Sequence, residues 1–105
     1  MRLENKVVVI TGAARHIGQA FAVRAAREGA HVVVADKADC SETAAMVVAE
    51  GARVLSLTVD VTDESQTLAM ARDAAAEFGR IDVLVNNAGL FDGLVAKPFM
   101  EVDLD

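Results

Sequence analysis

The stretch Val7-Val8-Val9-Ile10-Thr11-Gly12-Ala13-Ala14-Arg15-His16-Ile17-Gly18 decides the fold. Four apolar residues closed by Thr11 read as a buried strand, Gly12 as a sharp turn, and the residues around Gly18 as the start of a helix. A second apolar run, Val32-Val33-Val34-Ala35, ends in Asp36. A turn of this kind lets backbone N–H groups and a helix N-terminus face a pyrophosphate, and an acid ending the next strand is placed for a ribose diol. Thr11, Gly12, Arg15, His16, Ile17, Gly18 and Asp36 are therefore candidate residues for binding a nicotinamide dinucleotide.

Gly29, Gly51 and Gly79 extend the pattern along the chain, each following a helix-like segment and shortly preceding a strand. Glycine just past a helix end closes the last turn in the left-handed conformation without a Cβ penalty. The reading that results has strands over 6–11, 31–35, 54–59 and 81–85, with helices over 17–28, 40–50 and 63–78. Most strands are near-continuous Val/Ile/Leu runs, as expected where both faces of a parallel sheet are covered. Asp39 with Glu42 fits the acid form of a capping box, and Thr62 before Asp63 and Glu64 places a cap oxygen and two negative charges at a helix start. Strict alternation of strand and helix specifies a parallel sheet with right-handed crossovers. After Asn86 the texture changes to a loop-like Asn87-Ala88-Gly89 and a mixed tail with Gly93 and the lone Pro98.

The bulk composition agrees with one α/β domain. At 105 residues, 53% apolar and 25% charged, the chain is globular rather than disordered. Sixteen acids against 10 bases give a net charge of −6 with no basic run, which speaks against nucleic acid or an anionic membrane as partner. A single cysteine, Cys40, allows no intramolecular disulfide and suits a reducing cytoplasm; its acidic neighbours Asp39 and Glu42 disfavour a thiolate. The apolar run near the N-terminus is too short for a signal peptide, and no stretch approaches a membrane span.

With these parts in order, the chain resembles the short-chain dehydrogenase/reductase family over essentially its whole length. The family turn, Thr-Gly-x-x-x-Gly-x-Gly, is matched by Thr11, Gly12 and Gly18, and the usual Leu-x-x-Lys lead by Leu3 and Lys6. Asp60-Val61 matches the acid that the family sets against the adenine amino group. Asn86-Asn87-Ala88-Gly89 matches the tetrapeptide that braces the sheet beside the cofactor. The resemblance implies a Rossmann-like doubly wound α/β fold, here four strands in the order 3-2-1-4 with three helices, in a single, incomplete NAD(P)-binding domain over 1–105. It adds Asp60, Val61, Asn87, Ala88 and Gly89 to the candidate cofactor-binding residues. It implies an NAD(P)-dependent oxidoreductase passing hydride between nicotinamide and a carbonyl or alcohol carbon.

Two departures qualify that implication. His16 stands where the family's middle glycine normally allows close approach to the pyrophosphate, although a histidine there can donate a hydrogen bond to phosphate. The family's catalytic Tyr-x-x-x-Lys, its serine and its helix asparagine have no counterpart, and the chain holds no tyrosine at all. Ser41 and Ser65 read as caps or surface residues, and His31 as structural. No catalytic residue and no metal ligand is assigned, and these 105 residues alone are expected to be inactive. The alternatives are a non-catalytic dinucleotide-binding or regulatory module, and an inert folded fragment. Asp36 favours NAD, with NADP as second choice because Arg15 and Lys37 can offset repulsion of a 2′-phosphate. The fourth strand, internal in the family, is expected to leave an open edge, and hence a homo-oligomer.

Overall fold

The computed structural model describes residues 2–87. In chain order it contains β1 (Val7–Thr11), α1 (His16–Arg27), β2 (His31–Asp36), α2 (Ser41–Ala49), β3 (Val54–Thr58), α3 (Glu64–Phe78) and β4 (Val83–Asn86). The strands form one sheet in the order β3-β2-β1-β4, with every pairing parallel. This is the Rossmann-like order expected.

Alternation along the central strands divides the core in two. Val8 and Ile10 of β1 and Val32 and Val34 of β2 pack with Ala22, Ala25 and Ala26 of α1 and Val47 of α2. The intervening Val7, Val9, Val33 and Ala35 pack with Met70 and Ala74 of α3. Both faces of β1 and β2 are thus covered, and their apolar runs show no polar alternation for that reason. The expectation of double cover stops at the edges: Ser56 and Thr58 of β3 are exposed, and Leu84 of β4 is 55% exposed.

Element ends differ from the sequence reading in instructive ways. The fourth strand begins at Val83 rather than two residues earlier, but Asp82 already continues its ladder. The Asp82 N–H donates to the Val7 carbonyl at 2.9 Å, and the Asp82 carboxylate accepts the Val7 N–H at 2.8 Å. At α3 the cap is Asp63, which accepts from the N–H groups of Ser65 and Gln66; Thr62 instead donates its hydroxyl to Asp60. The reciprocal box at α2 does not form, because Asp39 takes the N–H and hydroxyl of Ser41, while Glu42 accepts from Gln19. Gly29, Gly51 and Gly79 all take positive φ, as their helix-ending role requires.

Gly18 has a different role, since it lies inside α1 and faces the glycine turn. A Cβ there would collide with the Gly12 carbonyl oxygen and lie 2.9 Å from the Ala13 Cα, both of them rigid backbone. Gly18→Ala is therefore expected to lower unfolding stability by about 3 kcal/mol or more. Gly51→Ala meets open space and is strained only by its φ of 87°, so about 1 kcal/mol is expected. Denaturant melts of the two variants check the contrast; equal losses would refute the close-packing account.

The bond from Val7 N–H, with Arg80 beside it, holds the Asp82 carboxyl below its ordinary value of 3.8. A carboxyl depressed on folding contributes stability that is present above that value and lost as pH falls through the lower folded one. Asp82→Asn is expected to lower the melting temperature at neutral pH and to flatten its decline below pH 3.8, read by thermal melts across acid pH.

Candidate functional site

The site forms where the C-terminal ends of the parallel strands meet. β1 has β2 on one side and β4 on the other, so the chain order reverses at β1, and such a switch point opens a crevice outside the strand ends. The turn from Gly12 to Arg15 crosses this place, with Gly12 at φ 67°.

Successive peptide groups of the turn are bonded at both ends. In the Gly12–Ala13 peptide, the carbonyl accepts from Asn87 Nδ2 at 3.1 Å and the N–H donates to the Ala35 carbonyl at 3.1 Å. In the Ala13–Ala14 peptide, the carbonyl accepts from the Thr43 hydroxyl at 2.7 Å and the N–H donates to Asp36 Oδ2 at 3.0 Å. The Ala14 carbonyl is approached by the Thr43 hydroxyl at 3.2 Å and by Gln19 Nε2 at 3.4 Å. Three successive carbonyl oxygens are thereby engaged by side chains.

The helix that follows is prepared differently. No side chain caps α1 at Arg15, and its first turn holds no acid. The first N–H groups of a helix lack intrahelical partners and carry the positive end of its dipole, so this end suits an anion.

The predicted residues fall into two groups. Thr11, Gly12, Arg15, His16, Gly18, Asp36 and Asn87 gather around the turn. Thr11 donates to Asn86 Oδ1 at 3.1 Å and accepts the Asn87 N–H at 3.2 Å, which ties the ends of β1 and β4 together. Asp36 accepts from Ala14 and, at 3.0 Å, from Ala38, one bond to each carboxylate oxygen. Each oxygen keeps a lone pair that a hydroxyl could use. Ile17, on the first turn of α1, is 51% exposed. Asp60 and Val61 lie beyond β3, two strands from β1, and the Val59 N–H donating to the Asp36 carbonyl at 2.8 Å joins that corner to the turn. The Asp60 carboxyl is held below the usual carboxylate range by the Thr62 hydroxyl and N–H, helped by Lys37. Ala88 and Gly89 lie outside the described residues.

A cleft of about 340 Å³ opens beside the turn, lined by Ala14, Arg15, Ala38, Asp39, Ser41 and Glu42. Cys40 lies close by but is buried, and burial with Asp36 and Asp39 nearby pushes its thiol up to about 11, so it stays protonated. Thr43 and Gln19 were missed in the sequence. The available signal was a polar residue four positions from Val47 on the buried stripe of α2.

The family model for short chain dehydrogenases matches residues 6–105. The chain belongs to the short-chain dehydrogenase family. It is 48% identical to galactitol 2-dehydrogenase of Agrobacterium fabrum over 88% of this chain and 36% of that protein. Its structure resembles a short chain dehydrogenase from Mycobacterium paratuberculosis bound to NAD, with a TM-score of 0.82 and 34% identity over 90% of this chain and 42% of that one. It also resembles carveol dehydrogenase from Mycobacterium avium in complex with NAD, with a TM-score of 0.81 and 30% identity over 97% of this chain and 41% of that one. This short-chain dehydrogenase sequence thus spans about two fifths of the length of the relatives it matches.

Within the family's turn, His16 takes φ 56°, a left-handed conformation that glycine adopts freely and a side chain does not. The backbone keeps the glycine-like path although the residue is histidine. His16→Gly is expected to raise unfolding stability by up to about 1 kcal/mol and to tighten the binding of a nicotinamide dinucleotide. Thermal melts and calorimetry check both; unchanged affinity would show that the imidazole does not obstruct, and weaker affinity that it assists.

Proposed function

We propose that this chain forms the cofactor-binding portion of an NAD-dependent oxidoreductase that interconverts an alcohol and a carbonyl compound. The observation that carries the proposal is the uncapped, acid-free N-terminus of α1 beside a turn whose carbonyls are all engaged elsewhere. The α1 N–H groups would receive the pyrophosphate, with Arg15 and His16 at its edge. Asp36 would accept the ribose hydroxyls and repel a 2′-phosphate, which favours NAD over NADP. Asp60 and Val61 would border the adenine, and the segment from Asn87 through Gly89 the inner part of the cofactor. The bound nicotinamide supplies the hydride chemistry. The chain's own residues bind and orient; no proton-transfer role is assigned, since its 105 residues include no tyrosine.

The reading extends to setting and assembly. A buried, protonated Cys40 suits a cytoplasmic protein, and among the described residues no helix is long and apolar enough to cross a membrane. Among the described residues, Ile17 and Phe21 on α1 are exposed apolar groups that support a homo-oligomer.

The purified 105-residue chain is expected to bind NAD+ at least tenfold more tightly than NADP+ and to show no alcohol oxidation. Asp36→Ala is expected to erase the preference. Calorimetry and an absorbance assay for NADH decide it, and equal affinities or measurable turnover would overturn the reading. Light scattering that shows only monomer would remove the oligomer from it.

A further inference from the structure

The geometry points to Thr43 as a positioning residue for the anion-binding turn, acting from α2 chiefly through the Ala13–Ala14 peptide group. This inference rests on the dinucleotide reading above. Thr43 is fully buried, and its hydroxyl donates to the Ala13 carbonyl at 2.7 Å. The other end of the same peptide, the Ala14 N–H, donates to Asp36 Oδ2 at 3.0 Å. Thr43 and Asp36 therefore hold opposite ends of one rigid plane, and neither bond can rotate without loosening the other. Gln19, on α1, donates Nε2 to the Thr43 hydroxyl oxygen at 3.1 Å, fixing the direction of its proton toward the turn.

The consequence is electrostatic. A carbonyl oxygen left free to swing toward the α1 N-terminus would set negative charge where an anion must sit. Engaging the Ala13 carbonyl removes that competitor, and the bonded Ala14 N–H orients the acid assigned to the ribose. A buried carbonyl deprived of its donor would turn toward whatever donors remain, the open N–H groups of α1 among them. Thr43 touches no ligand in this account; it sets which face of the turn is presented.

Thr43→Val keeps shape and removes the hydroxyl, whereas Thr43→Ser keeps the hydroxyl. Thr43→Val is expected to raise the NAD+ dissociation constant about tenfold, well below its melting temperature, and Thr43→Ser to restore it to within about threefold. Amide exchange at Ala14 is expected to quicken in Thr43→Val alone. Gln19→Met, at a half-buried position, is expected to weaken binding in the same direction by about threefold and decides the matter if Thr43→Val does not fold. A folded Thr43→Val with lowered melting temperature but wild-type affinity would overturn the proposal, leaving Thr43 a core residue. Failure of the wild-type chain to bind NAD+ would instead overturn the dinucleotide reading. The exchange result then judges Thr43 by itself, and unchanged exchange at Ala14 overturns it.

Discussion

Gly18 rests against the Gly12–Ala13 backbone so closely that a Cβ would lie 2.7 Å from the Gly12 carbonyl carbon. That contact fixes how near α1 comes to the sheet, and the helix keeps the same spacing with Ala22, Ala25 and Ala26 on its buried side. Small side chains in that stripe let valines of β1 and β2 fill the space from below. Because α1 is seated this deeply, its first turn emerges at the end of β1 rather than beside it. The turn in between is then short enough for Asn87 just past β4, Thr43 of α2 and Asp36 of β2 to reach it. The exposed face of the turn is therefore a consequence of helix packing, and a Cβ at Gly18 would displace the Gly12–Ala13 backbone on which it rests.

Much of this was legible in the sequence, for physical reasons. The apolar runs of β1 and β2 are buried on both faces, and the glycines at positions 29, 51 and 79 take the left-handed conformation that no other residue adopts as cheaply. Both are strong local signals, and they were enough to order the elements. The turn and the place of Asp36 at the end of β2 were legible because close backbone approach demands glycine and an acid closing an apolar run stands out locally. Thr43 was not, because its one local mark, a polar residue on the buried stripe of α2, does not name a partner 30 residues away. Asp82 escaped for a similar reason: its carboxylate substitutes for a ladder bond to Val7, 75 residues distant, which no short window reveals. The caps were misplaced by one residue at α3, where Asp63 outcompetes Thr62 as acceptor since a carboxylate makes the stronger bond to N–H.

The helix N-termini differ in how their charge is balanced. α3 begins with Asp63 as cap and Glu64 behind it, so its orphan N–H groups and dipole are satisfied from within the protein. That arrangement stabilises a helix and leaves nothing for a ligand. α2 carries Glu42 in its first turn, again an internal counter-charge. Among the helices of the described residues, α1 alone has neither a side-chain cap nor a first-turn acid, and its entry passes through His16 at φ 56°. A helix end left so incomplete costs stability, as does a side chain in the left-handed region. The offsetting contacts are found on the far side of the same turn, in the bonded carbonyls of Gly12, Ala13 and Ala14. Stability withheld from one face of the turn is supplied to the other, so the open N–H groups persist without the turn collapsing onto them. An acid introduced into the first turn of α1 would satisfy the helix from within, as Glu64 does in α3, and would remove the positive end that α1 otherwise leaves open to an anion.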